Sequence, residues 1–338
     1  MNHIKKFLYN IAPALTLMIM APLLAEVLPG ATRFSSLFVL PIEIFVWGGG
    51  ALLIRYAVRR WELGWVNMLF LALALATAEE CLIQQSSLAP LVIQLKGVVY
   101  ARALGINYVY LLWALAYESV FVVFMPIYLV EHIFAQRRND LWVNKAGVIV
   151  TILFFFIGCG LAWFTWTQIA RVKVFHMAAY TPPFLTILFA IIIIGLLIFA
   201  ALGPFRKKLE IKSVPMVPPR LGIIGGLGAL WAMLWYGLIL LAFGISPFFP
   251  PIVAIIAGIL ITAGILILLP RLVAHPGWNR IHNYILIVGT MSGSMLVSFI
   301  GFIGPMNLDL YFKIFINMIA VILLIRLGFK IRRQSLNT

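Results

Sequence analysis

The sequence predicts an all-α, polytopic transmembrane helical bundle of about ten spans, with both termini in the cytoplasm. Three observations carry this. Of 338 residues, 64% are hydrophobic and only 10% charged, with a mean hydropathy of +1.08, and a soluble fold needs more polar surface than that. The apolar runs are long enough to cross a bilayer and show no alternation, so helices rather than a barrel satisfy the backbone in lipid. The basic residues also fall on alternate connections.

The first segment, 7–28, follows two lysines in "MNHIKKFLYNIAPALTLMIMAPLLAEV". This resembles a signal peptide, but no A-x-A site follows and the run is long enough to span, so it reads as a retained helix. The second segment, 36–55, contains "WGGG" at 47–50, where missing side chains let another helix approach. The third, 64–88, carries "ATAEECLIQQS" at 76–86, and the fourth covers 106–133. Further segments lie at 146–168, 182–204, 221–245, 249–270, 281–303 and 309–330. Ten spans return the chain to its starting side.

Nineteen of the 25 Lys and Arg residues fall on the connections sharing a side with the termini; Arg33, Lys96, Arg102, Arg171, Lys173 and Lys313 fall on the other. The positive-inside rule makes the first side cytoplasmic. The net charge of +15 is then the edge of a membrane protein facing an anionic cytoplasmic leaflet, and no nucleic-acid partner is expected. The Pro-rich basic loop "GPFRKKLEIKSVPMVPPR" (203–220) is expected along that surface. Cys81 and Cys159 sit in apolar runs and read as small packed side chains.

The ten acidic residues divide the chain unevenly. Glu26, Glu43, Glu79, Glu80 and Glu118 lie within the first four segments or at their outer ends, and Glu131 lies at the cytoplasmic end of the fourth. Residues 1–145 therefore form a region with a buried acidic cluster, and 146–338 an apolar scaffold half. At a rise of about 1.5 Å per residue, Glu43, Glu79, Glu80 and Glu118 reach comparable depths. Thr77, Glu80, Gln84 and Ser87 share a helix face, pointing Glu80 inward and Glu79 aside. Asn107, Ala114 and Glu118 line up on the fourth segment, with Tyr117 adjacent, and Glu43, Trp47 and Gly50 align on the second. A polar cavity among helices 2, 3 and 4, open to the outer face, is expected.

A mid-membrane charge costs at least about 2.5 kcal/mol on insertion scales. Glu80, Glu79 and Glu118 are therefore candidate proton-exchanging residues, at least one of them protonated at neutral pH. Glu43, Gln84, Asn107 and Tyr117 are candidate substrate contacts, and Glu26 is expected to reach the outer interface. The histidines show no ligand spacing, and no nucleotide, dinucleotide or G-x-S-x-G motif occurs, so no metal or cofactor is expected.

The stretches "AEVLPGATRFSSLFVLPIEIFVWGGGALLIRYAVRRWELGW", "AEECLIQQS" and "YESVFVVFMPIYLVE" resemble a family of bacterial polytopic membrane proteins with no assigned activity, which implies the bacterial inner membrane. The paired Glu79–Glu80 is also similar to that of the CPBP (CAAX-protease-like) intramembrane proteases, which would imply glutamate-activated water. Gln84 stands where that family has Arg, Phe121 is followed by Met125 rather than His, and the only HxxxN, His275 to Asn279, contains Pro276. Three readings remain: a proton-coupled permease, favoured because the protease motifs are broken; a glutamate-based intramembrane hydrolase; and a non-catalytic scaffold. The substrate, whether small molecule, lipid or peptide, is open.

Overall fold

The computed structural model describes residues 3–90, 92, 101–204, 206, 219–240, 249–302, 304 and 306–336. Among them, ten helical segments are long and apolar enough to cross a membrane. They are span 1 (Tyr9–Val27), span 2 (Phe34–Arg60), span 3 (Trp65–Ile83), span 4 (Tyr108–Ile133), span 5 (Lys145–Val174), span 6 (Phe184–Leu202), span 7 (Leu221–Leu238), span 8 (Pro251–Val273), span 9 (Arg280–Phe302) and span 10 (Leu308–Gln334). The fold is all-α apart from one small hairpin. Loop residues 207–218, the end of the expected seventh segment and Lys96 lie outside the described residues.

Spans 1–4 form the core. Half or more of each is buried, against 11–39% of spans 5–10, whose exposed Ile, Leu and Phe side chains suit a lipid environment. The glycines of "WGGG" let three helices converge on span 2. A side chain begun at Gly48 would meet the Met18 backbone of span 1, one at Gly49 would touch Phe155 of span 5, and one at Gly50 would meet Leu75 of span 3. Spans 7 and 9 are equally close. A Cβ on Gly289 would lie 2.0 Å from Gly225 O, and one on Gly293 would lie 2.4 Å from Ala229 O, as expected where small residues set membrane-helix packing.

The end of the bundle bearing Arg55 and Arg59 holds a buried ion pair. Glu131 accepts from Arg55 Nε at 3.1 Å and from Arg59 Nη2 at 2.6 Å. The Arg55 guanidinium also donates to Asp140 O and Arg138 O and lies 3.1 Å from the centre of the Trp142 ring. Arg55 and Glu131, the charges buried at this end, are thus hydrogen-bonded to one another and to neighbouring groups, which offsets the cost of burial.

Span 3 ends at Ile83 rather than continuing to 88. Gln85 takes a positive φ of 59°, which turns the chain away. The connection then contains an antiparallel hairpin, Arg102–Ala103 with Ile106–Asn107. Leu104 and Gly105 both have positive φ, 49° and 80°, as a tight two-residue turn demands. Asn107 N–H donates to Ser87 O at 2.9 Å, and Arg102 donates to Leu88 O. The hairpin therefore fixes the backbone around Ser87.

Candidate functional site

Each of the first four spans breaks into a π-helical turn, where the hydrogen bond runs to the fifth residue back. These turns are Leu23–Val27, Ile44–Gly48, Glu79–Ile83 and Ser119–Phe124. The N–H groups of Leu28, Gly49, Gln84 and Met125 close them onto Leu23 O, Ile44 O, Glu79 O and Val120 O. Such turns are rare and often occur at functional sites. Every acid in spans 1–4 except Glu131 lies on one or beside one. Glu26, Glu79 and Glu80 are inside a turn, and Glu43 and Glu118 immediately precede one.

The four expected acids converge. Glu79 interacts electrostatically with Glu80 and Glu43, and Glu118 with Glu80 and Glu79. Glu26 joins them, interacting with Glu43, Glu79 and Glu80; it belongs to the cluster rather than to the interface alone. Span 1 is thus a fourth wall of the polar interior expected among spans 2, 3 and 4. Among the described residues, no Lys, Arg or His forms an ion pair with any of the five; the three ion pairs present use Glu131 and Asp140.

The acids have unequal partners. Glu80 accepts from Ser87 Oγ at 2.5 Å and interacts electrostatically with Glu118. Glu43 Oε1 accepts from Thr32 Oγ1, while Glu43 Oε2 and Glu118 Oε2 are buried without a partner. Glu79 stands apart: it is 2% exposed and neither carboxyl oxygen has a hydrogen-bond partner. Glu79, expected to point aside, is as buried as Glu80 at the start of the π-turn.

The remaining candidates have separate roles. Asn107 is buried and caps span 4, its side chain accepting from Tyr110 N–H at 2.9 Å, so it starts the helix that carries Glu118. Gln84 is half-buried, and its backbone closes the span 3 turn. Tyr117 donates to Ala25 O and accepts from Tyr236 OH of span 7 at 3.0 Å. Its ring stacks between Trp113 and Phe121. Tyr110, Thr32 and Tyr236, which sequence reasoning did not select, also face the acids.

His132 bonds Tyr128 O and Arg280 O, about 21 Å along span 4 from Glu118 at the helical rise. His275 and Asn279 lie in the connection between spans 8 and 9, where Asn279 caps span 9. The structure does not bring these side chains to the acids. No group of three or more His, Cys, Asp or Glu among the described residues has a metal-holding arrangement. Compared with protein-family models, with curated proteins and with solved structures, the chain gives no match.

Proposed function

We propose that the chain is a proton-coupled permease of the bacterial inner membrane, with both termini cytoplasmic and the acids of spans 1–4 as its proton-exchanging site. One observation carries the reading: five carboxyl groups from four spans gather on or beside helix breaks without a basic partner among the described residues, and Glu79 has no hydrogen-bond partner among them either. Two unit negative charges 5 Å apart repel by about 3 kcal/mol at an effective dielectric of 20. Protons relieve such repulsion in a cluster of five without a ligand cage. Acids that serve only as packing would each have a protein partner. Glu43, Glu79 and Glu118 each leave at least one oxygen without one.

Helix breaks and intramembrane acids suit transport. The positive-inside assignment orients the cluster toward the outer face.

Infrared spectroscopy of the purified protein in lipid tests the proton-exchange step. A protonated-carboxyl C=O band should be present, should titrate with bulk pH and should shift on H2O-to-D2O exchange. Glu80→Gln and Glu118→Gln should each remove part of it while the chain stays folded. Absence of an exchanging carboxyl band overturns the reading. A panel of solutes added to vesicles carrying the protein then reports coupled transport as a change in internal pH, abolished by Glu80→Gln.

A further inference from the structure

We infer that the segment joining spans 1 and 2, residues 28–36, is a gate over the acid cluster, and that Lys313 of span 10 is its latch. The inference rests on the proton-exchange reading and adds to it the moving part and the residue that holds it.

The segment has two faces. On its inner face, Thr32 is buried and donates to Glu43. The N–H groups of Gly30, Ala31 and Thr32 all donate to Glu26 O, at 3.1, 2.9 and 3.1 Å. The strap thus folds back onto the helix break that carries Glu26. Ala31, Phe34 and Ser35 are exposed. Between Ala31 and Thr32 the chain passes from the exterior to the acids in one residue.

On its other face, the strap is tied to spans 9 and 10. Lys313 is 1% exposed, and its Nζ donates to Leu28 O and Pro29 O at 3.0 Å each and to Ser298 Oγ at 2.9 Å. All three acceptors are neutral, and they join this buried cation to the strap and to span 9. Arg33 donates to Gly301 O at 3.2 Å, with its guanidinium 4.6 Å from the centre of the Phe302 ring. Asp309 accepts from Ser35 N at 2.9 Å and from Ser35 Oγ at 3.0 Å. Gly30 has a φ of +81°, and a Cβ there would lie 2.7 Å from the Phe302 ring, so the turn seats against span 9 only with glycine.

The hydrogen-bonded ties can be exchanged for water at the membrane edge, and the apolar contact beside them, Phe34 with Phe312 of span 10 at 5.7 Å between ring centres, involves an exposed side chain. Release of Lys313 frees Leu28 and Pro29, lifts Thr32 from Glu43 and exposes the acids. The arrangement seen here is the closed state.

The test uses the full chain in lipid, with Cys81→Ala and Cys159→Ala so that the only thiols are Ser35→Cys and Asp309→Cys. The readout is the rate at which the carboxyl band shifts in D2O. The disulfide should slow that shift by about tenfold or more, and reduction should restore it. Lys313→Gln, in the native-cysteine chain, should accelerate it by about ten- to a hundredfold, because a charged hydrogen-bonding hub is lost. Equal rates in the oxidised and reduced protein overturn the gate. An unchanged or slower rate in folded Lys313→Gln overturns the latch. If the reduced protein shows no exchanging carboxyl band at all, the proton-exchange reading fails first and the gate fails with it.

Discussion

Replacing Glu79 by Met separates a functional acid from a packing acid by the sign of a stability change. Glu79 is 2% exposed and has no hydrogen-bond partner on either oxygen. An unpaired buried polar group costs roughly 1–3 kcal/mol by mutational measures. It also lies in electrostatic contact with Glu80 and Glu43, so its removal relieves like-charge repulsion as well. Methionine is unbranched like glutamate and adapts to irregular space, and the misfit of such a swap is below about 1.5 kcal/mol. The expected net result is a gain of about 1–2 kcal/mol. Ser87→Ala supplies the opposite sign. It removes the 2.5 Å donor to Glu80 and should cost about 1–3 kcal/mol. Both are read by reversible unfolding in one lipid–detergent mixture. The Glu79→Met protein should unfold later and the Ser87→Ala protein earlier. A loss of 1 kcal/mol or more on Glu79→Met would show that Glu79 holds helices together, and the argument for a proton-exchanging cluster would fail.

Two further outcomes follow from the packing. Gly289→Ala places a methyl group 2.0 Å from Gly225 O and should destabilise the span 7–span 9 pair by about 1–3 kcal/mol; Gly226→Ala, which meets nothing within 4 Å, should stay within about 0.5 kcal/mol, both read by thermal unfolding. Asn107→Ala should lower stability by about 1 kcal/mol, as loss of a helix cap does, while leaving the titrating carboxyl band in place, which separates a capping residue from one that contacts substrate.

What sequence could show here was depth. Counting residues along apolar runs places Glu43, Glu79, Glu80 and Glu118 at similar heights, and the structure gathers those four. What it could not show was rotation. The face assignment that turned Glu79 aside assumed a regular helix, in which each residue advances about 100°. A π-turn adds a residue, so the faces beyond it are displaced. No pattern in an all-apolar run marks that extra residue; the acids themselves were the only sign of it. Glu26 was misplaced because a residue near the end of a span looks interfacial when only its own helix is considered. Thr32, which explains the fit of the strap over Glu43, stands in a connection with no helical periodicity to interpret. Ser87 was assigned to the right stripe for an incomplete reason: it lies beyond the end of span 3 and is delivered to Glu80 by the hairpin contact at Asn107.

Lys313 was the least accessible of all, since its partners Leu28 and Pro29 lie 285 and 284 residues away in the chain. Its position alters the view of the second half as an apolar scaffold. The charge of the site comes from residues 26 to 118, but its closure comes from span 10. Spans 7 and 9 meet through glycine backbones with no room to slide, so that pair acts as a fixed wall. Span 10 is only 17% buried and meets the strap through the polar groups of Lys313 and Asp309 and through one ring contact, Phe312 with Phe34. Motion is cheapest where apolar contact is sparse and the holding bonds are polar. A proton entering the cluster should therefore pass at the seam between the 28–36 strap and span 10, and the rigid pair of spans 7 and 9 should hold still while that seam opens.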